Sequence, residues 1–235
     1  MNKMFARYKI FAAVLLGCGV ASAHALPINF TSTSYTTSAF ADVDGTSDGP
    51  FAGASPPDPL PLISSASVAV DPDNLARANA IADTLLLAAS SEAASSGTIG
   101  SAAAVSTFLG AFATTGAGLS LQASFEDFID ALGGATAGSE LFVLLQVDGL
   151  DLFQDSFTSS QIISADFMTL PGLDGLLDIT LVSTAAANGA GSAFNLASAS
   201  ISLNSVPEPA SLALVLGGMG LLGVSRASAG RRGRV

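Results

Sequence analysis

The stretch Leu141-Phe142-Val143-Leu144-Leu145-Gln146-Val147-Asp148-Gly149-Leu150-Asp151-Leu152-Phe153 decides the fold class. Two runs of apolar residues flank Asp148-Gly149, a pair that tolerates the positive φ angles of a two-residue hairpin turn. Asn188-Gly189 carries the same signal, and predicts a second hairpin between Ile179–Ala187 and the segment after it. In that last segment Ala197, Ala199, Ile201 and Leu203 alternate with Ser198, Ser200 and Ser202. One face is apolar and the other hydroxylic, as on a strand that covers a core from one side. Further strands are expected over 119–128, 161–168 and 177–184. Short strands at this spacing predict a mainly β domain, an antiparallel β-sandwich or jelly roll. No internal repeat of fixed period is present.

Upstream the pattern changes. Asp71-Pro72-Asp73-Asn74 can open a helix, since Asp caps and Pro72 fits a first helical turn. Leu75, Ala78, Ala82, Leu85 and Leu86 then share a helical face, and Gly97 can close it, so one helix is expected. A pair of Ala/Ser-rich strands is the competing reading. Residues 26–63 read as an irregular Pro/Ser/Thr-rich leading segment, because Pro56, Pro57, Pro59 and Pro61 interrupt helix and sheet alike. A short edge strand is expected from Ile28 to Thr33. The sandwich-like domain is thereby assigned to 64–205.

Charge is unevenly placed. Of 8 basic residues, Lys3, Arg7 and Lys9 open the chain, Arg226, Arg231, Arg232 and Arg234 close it, and Arg77 alone lies between. Of 19 acidic residues, all but Glu208 lie between Leu26 and Ser205, which leaves that body 18 acids against one base. Nucleic-acid binding needs clustered cations to neutralise phosphates, so that partner class is excluded.

The residue inventory excludes more. The one histidine is His24 and the one cysteine is Cys18, so residues 26–205 hold no His, Cys or Lys. Ser-His-Asp and Cys-His catalysis, Schiff-base lysines, ordinary zinc, copper or haem ligation and disulfides all fall away. Carboxylates remain. Glu126, Asp127 and Asp130 cluster, as do Asp148, Asp151 and Asp155, and a glycosidase needs only two carboxylates at a suitable separation. The chain has no Trp, so an aromatic sugar platform would have to come from Phe. Calcium is the more reasonable ligand. Asp42, Asp44, Thr46 and Asp48 crowd oxygen donors into one loop, and from Asp44 the spacing follows the first half of an EF-hand loop, with Gly49 in place. Ser55 stands where the bidentate Glu should be.

The termini carry membrane signals. A basic start, an apolar run from Ile10 to Val20 and the small residues Ala21-Ser22-Ala23-His24-Ala25 form a secretory signal peptide over 1–25, cut after Ala25 or Ala23. Leu15-Leu16-Gly17-Cys18 resembles a lipobox, which would make Cys18 an acylation site. At the other end Val206-Pro207-Glu208-Pro209 precedes an uncharged apolar stretch, 210–225, and the basic tail 226–235. As a helix, 210–225 rises about 24 Å, short of the roughly 30 Å hydrocarbon core, so it is a marginal span that relies on its Arg flank. The positive-inside rule keeps that flank in the cytoplasm and puts the acidic body outside.

This order of motif, apolar segment and basic end over 206–235 resembles the PEP-CTERM sorting signal of Gram-negative bacteria, with Pro207, Glu208 and Pro209 matching its motif residue by residue. The resemblance implies recognition by exosortase, a membrane-embedded Cys-protease-like transpeptidase, and an association with exopolysaccharide. Signal peptidase and exosortase are then the expected processing partners. The chain is expected to be an exported, non-enzymatic protein of the envelope surface or extracellular matrix. A calcium-dependent adhesin or polysaccharide-binding module is the alternative, and a carboxylate-dependent glycoside hydrolase the remote one. No resident cofactor is expected apart from the possible Ca²⁺.

Overall fold

The computed structural model describes residues 25–54, 60–116 and 118–206. Among them every regular element is a β-strand. In chain order these are β1 (Leu26–Pro27), β2 (Phe30–Val43), β3 (Thr46–Asp48), β4 (Phe51–Ala54), β5 (Leu62–Asp71), β6 (Asn74–Asp83), β7 (Leu86–Ala113), β8 (Gly118–Leu132), β9 (Thr136–Val147), β10 (Leu150–Phe157), β11 (Gln161–Met168) and β12 (Asp174–Val206). All pairings with a resolved register are antiparallel, within one 12-stranded sheet.

Two long strands set the architecture. β7 and β12 pair from Asp174↔Ala113 to Ser200↔Leu86, with one irregularity between Asn188 and Ala190. On one side of that bulge β7 pairs with β2 and β12 with β9; on the other, β7 pairs with β6. β8 also pairs with β12, and since β9 and β7 already flank its first half, β8 adjoins its second. The sheet therefore has two halves, β10-β9-β12-β7-β2 with β3 and β4 at its edge, and β11-β8-β12-β7-β6-β5. These halves face each other, which fits a β-sandwich. Thr37 of β2 and Ser64 of β5 hydrogen-bond across the interior at 2.8 Å, as do Ser91 of β7 and Ser183 of β12.

Alternation places the core. Leu141, Val143, Leu145 and Val147 of β9 point inward with Leu177, Ile179 and Leu181 of β12, Phe108 and Phe112 of β7, and Leu119, Leu121 and Phe125 of β8. Phe30 meets Phe108 and Phe112 edge-on at 5.3 and 5.9 Å between ring centres, a favoured aromatic geometry. Near the bulge the interior narrows to Ala93, Ala185, Ala187 and Ala193.

The Asp148-Gly149 hairpin forms as expected: Val147 pairs with Leu150, and both turn residues have positive φ, 52° and 74°. The strands expected over 119–128, 161–168 and 177–184 lie in β8, β11 and β12.

Three expectations are corrected. The helix after Asp71 is absent, and its residues form β6 and the start of β7. In an Ala-rich run small apolar side chains fit a period of 2 as readily as 3.6, and Ala76, Ala78, Ala80 and Ala82 are the buried set. Asp71 does cap, but the Oδ1 atom accepts the Asp73 N–H at 2.9 Å inside the β5–β6 turn, while Leu85 sits at φ 55° in the β6–β7 turn. Asn188-Gly189 makes no hairpin. Gly189 has φ 76°, and the positive angle serves a bulge in one continuous strand. Residues 26–63 are not irregular throughout, since β2 pairs with β7 from Phe30 to Val43 and carries β3 and β4 on its other edge. The compact unit accordingly runs from Pro27 to Ser205. Pro56, Pro57 and Pro59 fall outside the described residues.

Candidate functional site

Most residues of the two terminal signals lie outside the described residues: Ala23, Pro207, Glu208, Pro209, Arg226, Arg231, Arg232 and Arg234, with the segment 210–225. Ala25 is exposed ahead of β1, and Val206 is the last residue of β12. Among the described residues no helix is long and apolar enough to cross a membrane, a statement about helices alone.

The oxygen-rich loop is a tight ribbon. Asp44 and Gly45, at φ 51° and 83°, form the two-residue turn between β2 and β3. Asp42 pairs with Ser47 and Asp48 with Ala41, so Asp42 and Asp48 stand on opposite faces of the ribbon. Asp42 Oδ1 accepts the Gly45 N–H at 3.2 Å, while Asp48 Oδ2 accepts the Ser67 N–H of β5 at 3.0 Å. Thr46, exposed, faces Val43. The structure thus does not gather these four residues round one point. Among the described residues no three His, Cys, Asp or Glu side chains are grouped to hold a metal ion.

Of the other candidate carboxylates, Asp127, Asp151 and Asp155 serve local structure. Ser160 Oγ accepts the Asp127 N–H at 2.8 Å and donates to Asp127 Oδ1 at 2.6 Å, tying β8 to the loop before β11. Asp151 accepts the Gln146 Nε2–H at 2.6 Å across the β9–β10 hairpin, and Asp155 Oδ1 accepts the Ser156 N–H at 2.9 Å. Two carboxyls have displaced acidities. Hydrogen bonds from the Asn74 side chain, then from the Asp73 and Asn74 backbone, hold Asp71 below the ordinary carboxylate value. Burial pushes Asp178 up, because its register partners on either side are Leu109 and Leu144.

Sequence reasoning missed Asn74. Its Nδ2 donates to both Asp71 oxygens at 2.9 and 2.8 Å, and its Oδ1 accepts from Ser96 N at 2.9 Å and Thr98 Oγ1 at 2.9 Å. The β5–β6 turn is thereby stitched to the bulge of β7, where Ser95 Oγ accepts the Thr98 N–H at 2.9 Å. The signal was present in Asp-Pro-Asp-Asn, whose side chains favour turns as much as caps.

Two surface hollows lie among the described residues. One of about 360 Å³ is lined by Phe40 and by Ser, Thr, Ala and Gly of β7, β9 and β12. The other, about 620 Å³, is lined by Phe30, Thr31, Ser32, Thr33, Ser34, Leu109, Ala111 and Leu176. Neither lining contains an ionisable side chain. On the outer face of the second half-sheet Phe128 and Phe194 sit 6.2 Å apart, and Phe194 is the register partner of Glu92, which pairs with Arg77 at 3.8 Å.

The sequence matches no protein-family model and no curated protein. Solved structures give faint likenesses. A GH31 alpha-xylosidase from Xanthomonas citri aligns over 75% of this chain at 8% identity with a TM-score of 0.17, and the aligned part spans 18% of that enzyme chain. The structure of infectious bursal disease virus Gx strain aligns over 92% of this chain and 75% of the viral chain, at 12% identity and a TM-score of 0.17. The VP2 subviral particle of infectious bursal disease virus aligns over 81% and 69%, at 13% identity and a TM-score of 0.14.

Proposed function

We propose that the chain is an exported, non-enzymatic structural protein of the cell-envelope surface or extracellular matrix, a jelly-roll-like sandwich delivered by its signal peptide and sorted through its PEP-CTERM tail. The observation that carries this reading is the partition of residue chemistry along the chain. His, Cys and Lys are lacking from 26–205, and the cations collect beside the two terminal apolar stretches. The geometry is in keeping with it, for Asp42, Asp48, Asp127 and Asp151 are engaged in turns and edge contacts. Exosortase removes the tail, and the acidic body remains outside, associated with exopolysaccharide. Intact-mass measurement of envelope and medium fractions tests the sorting step. The expected mature species lacks 1–25 and the basic tail; retention of Arg234 in every fraction sinks the proposal.

A glycan-binding module is the second reading, favoured by the Phe128–Phe194 pair. Those rings are 60% and 36% exposed, and they supply the aromatic surface that the lack of Trp otherwise denies the chain. Retention on immobilised exopolysaccharide that disappears in F128A/F194A supports this reading; equal retention of both proteins removes it.

A further inference from the structure

Four polar side chains form a line through the interior. Ser139 of β9 is the register partner of Ser183 of β12, and Ser91 of β7 is that of Asn195 of β12. Ser183 and Ser91 join the two pairs by a hydrogen bond of 2.8 Å between hydroxyls. Register partners hold their Cβ atoms about 4.5–5.5 Å apart, so the line Ser139, Ser183, Ser91, Asn195 is continuous. Because the two pairs face each other across the half-sheets, it doubles back at the Ser183–Ser91 bond and brings its ends to one side.

Its ends are unmatched. Asn195 is 0% exposed with neither Oδ1 nor Nδ2 bonded to a protein group, and Ser139 Oγ, 7% exposed, is likewise without a protein partner. A buried carboxamide left so is costly, and native interiors pair such groups with protein or with ordered water. Leu141 and Leu181 bound the line on one side of Ser139 and Ser183, and its other same-face neighbours are short. Ala193 and Ala197 flank Asn195 along β12, Ala185 follows Ser183, Ala137 precedes Ser139, and Ala89 and Ala93 flank Ser91. Alanine ends at Cβ, so none of these positions offers a side-chain hydrogen-bond partner to either unmatched group.

We propose that this line is an internal water-binding site, holding about one or two water molecules that bridge Asn195 and Ser139 between the half-sheets. The chemistry selects water. The carboxamide and hydroxyl together present donors and acceptors without formal charge, which an ion or an apolar guest would leave unmatched and a molecule that both donates and accepts satisfies.

A double-mutant cycle on the purified exported protein tests this, with S139A, N195A and the pair compared by denaturant unfolding. Asn195 and Ser139 bond neither each other nor Ser91 or Ser183, so no protein hydrogen bond carries coupling between them and coupling reports a shared water. The expected unfolding constant of the pair departs from the product of the single effects by about threefold or more. Water-oxygen relaxation dispersion provides the second readout, which requires only the wild type and S139A if N195A fails to fold. It should detect long-residence water that S139A releases. Effects that simply multiply, or a dispersion profile that S139A leaves unchanged, overturn the proposal.

Discussion

The carboxylate of Asp48 accepts the backbone N–H of Ser67 at 3.0 Å, so a side chain on the short strand β3 satisfies a donor on β5. β5 is an edge strand whose own partner, β6, lies on one side only. Unpaired edge donors invite pairing with other chains, and an anionic cap blunts that tendency.

Asp48→Ala should therefore lower the unfolding midpoint by about 1–3 °C and increase aggregation on heating. Asp48→Asn keeps an acceptor oxygen and should lose less. Calorimetry with light scattering checks both, and the account fails if D48A aggregates no more than wild type.

Two glycines of the inner face exist to admit rings. A Cβ on Gly175 would overlap the Phe112 ring, and one on Gly110 would strike the rings of Phe30 and Phe108. Gly175→Ala should cost about 1–3 kcal/mol through overpacking. Phe112→Leu introduced with it should recover part of that loss, which urea unfolding of the two variants measures. An unaltered midpoint for G175A would mean that the ring sits elsewhere.

How far the sequence could be read turns on the ambiguity of small residues. Asp148-Gly149 was legible because long branched and aromatic runs on both sides leave only a reversal compatible with burial of Leu145 and Val147. Asn188-Gly189 announced a positive φ equally well, yet Ala and Ser on either side permit reversal or bulge, and only the pairing of Asn188 with Ile99 and of Ala190 with Ser96 on β7 decides between them. The same poverty of large side chains between Asn74 and Asp83 let a strand mimic a helical period. Sites were harder still. Asp42 and Asp48 are close in sequence, but alternation sends them to opposite faces of the ribbon, and spacing alone carries no trace of Ser67 as a partner. The Ser91–Ser183 bond joins residues 92 apart, and no local pattern announces it.

Asp178 should make stability fall with rising pH. Its folded pKa is raised by burial between Leu109 and Leu144, so the folded state binds the proton more tightly than the unfolded chain does. That contribution is fully present below the ordinary value of 3.8 and is lost as pH climbs through the higher folded value. Asp178→Asn should accordingly raise the midpoint at neutral pH and leave it nearly unchanged at pH below 3.8, where the wild-type carboxyl is already neutral. Unfolding midpoints of wild type and D178N across the acid range test the sign; a D178N protein less stable than wild type at neutral pH contradicts it.

Screening should stabilise the whole sandwich. Eighteen carboxylates against Arg77 leave the body self-repelling, and Arg77 is engaged with Glu92 at 3.8 Å. Repulsion among exposed charges acts over a Debye length, about 30 Å at 0.01 M salt and 8 Å at 0.15 M, so added salt weakens it more in the compact state than in the expanded chain. The midpoint should climb by a few degrees, about 2–4 °C, between those two concentrations of sodium chloride. Because Asp42 and Asp48 face apart, calcium chloride at matched ionic strength should do little beyond this common effect in the β2–β3 ribbon, and D42N should respond to calcium as wild type does. A calcium-specific rise that D42N abolishes would show that the ribbon rearranges to gather its carboxylates round the ion, and would restore the adhesin reading.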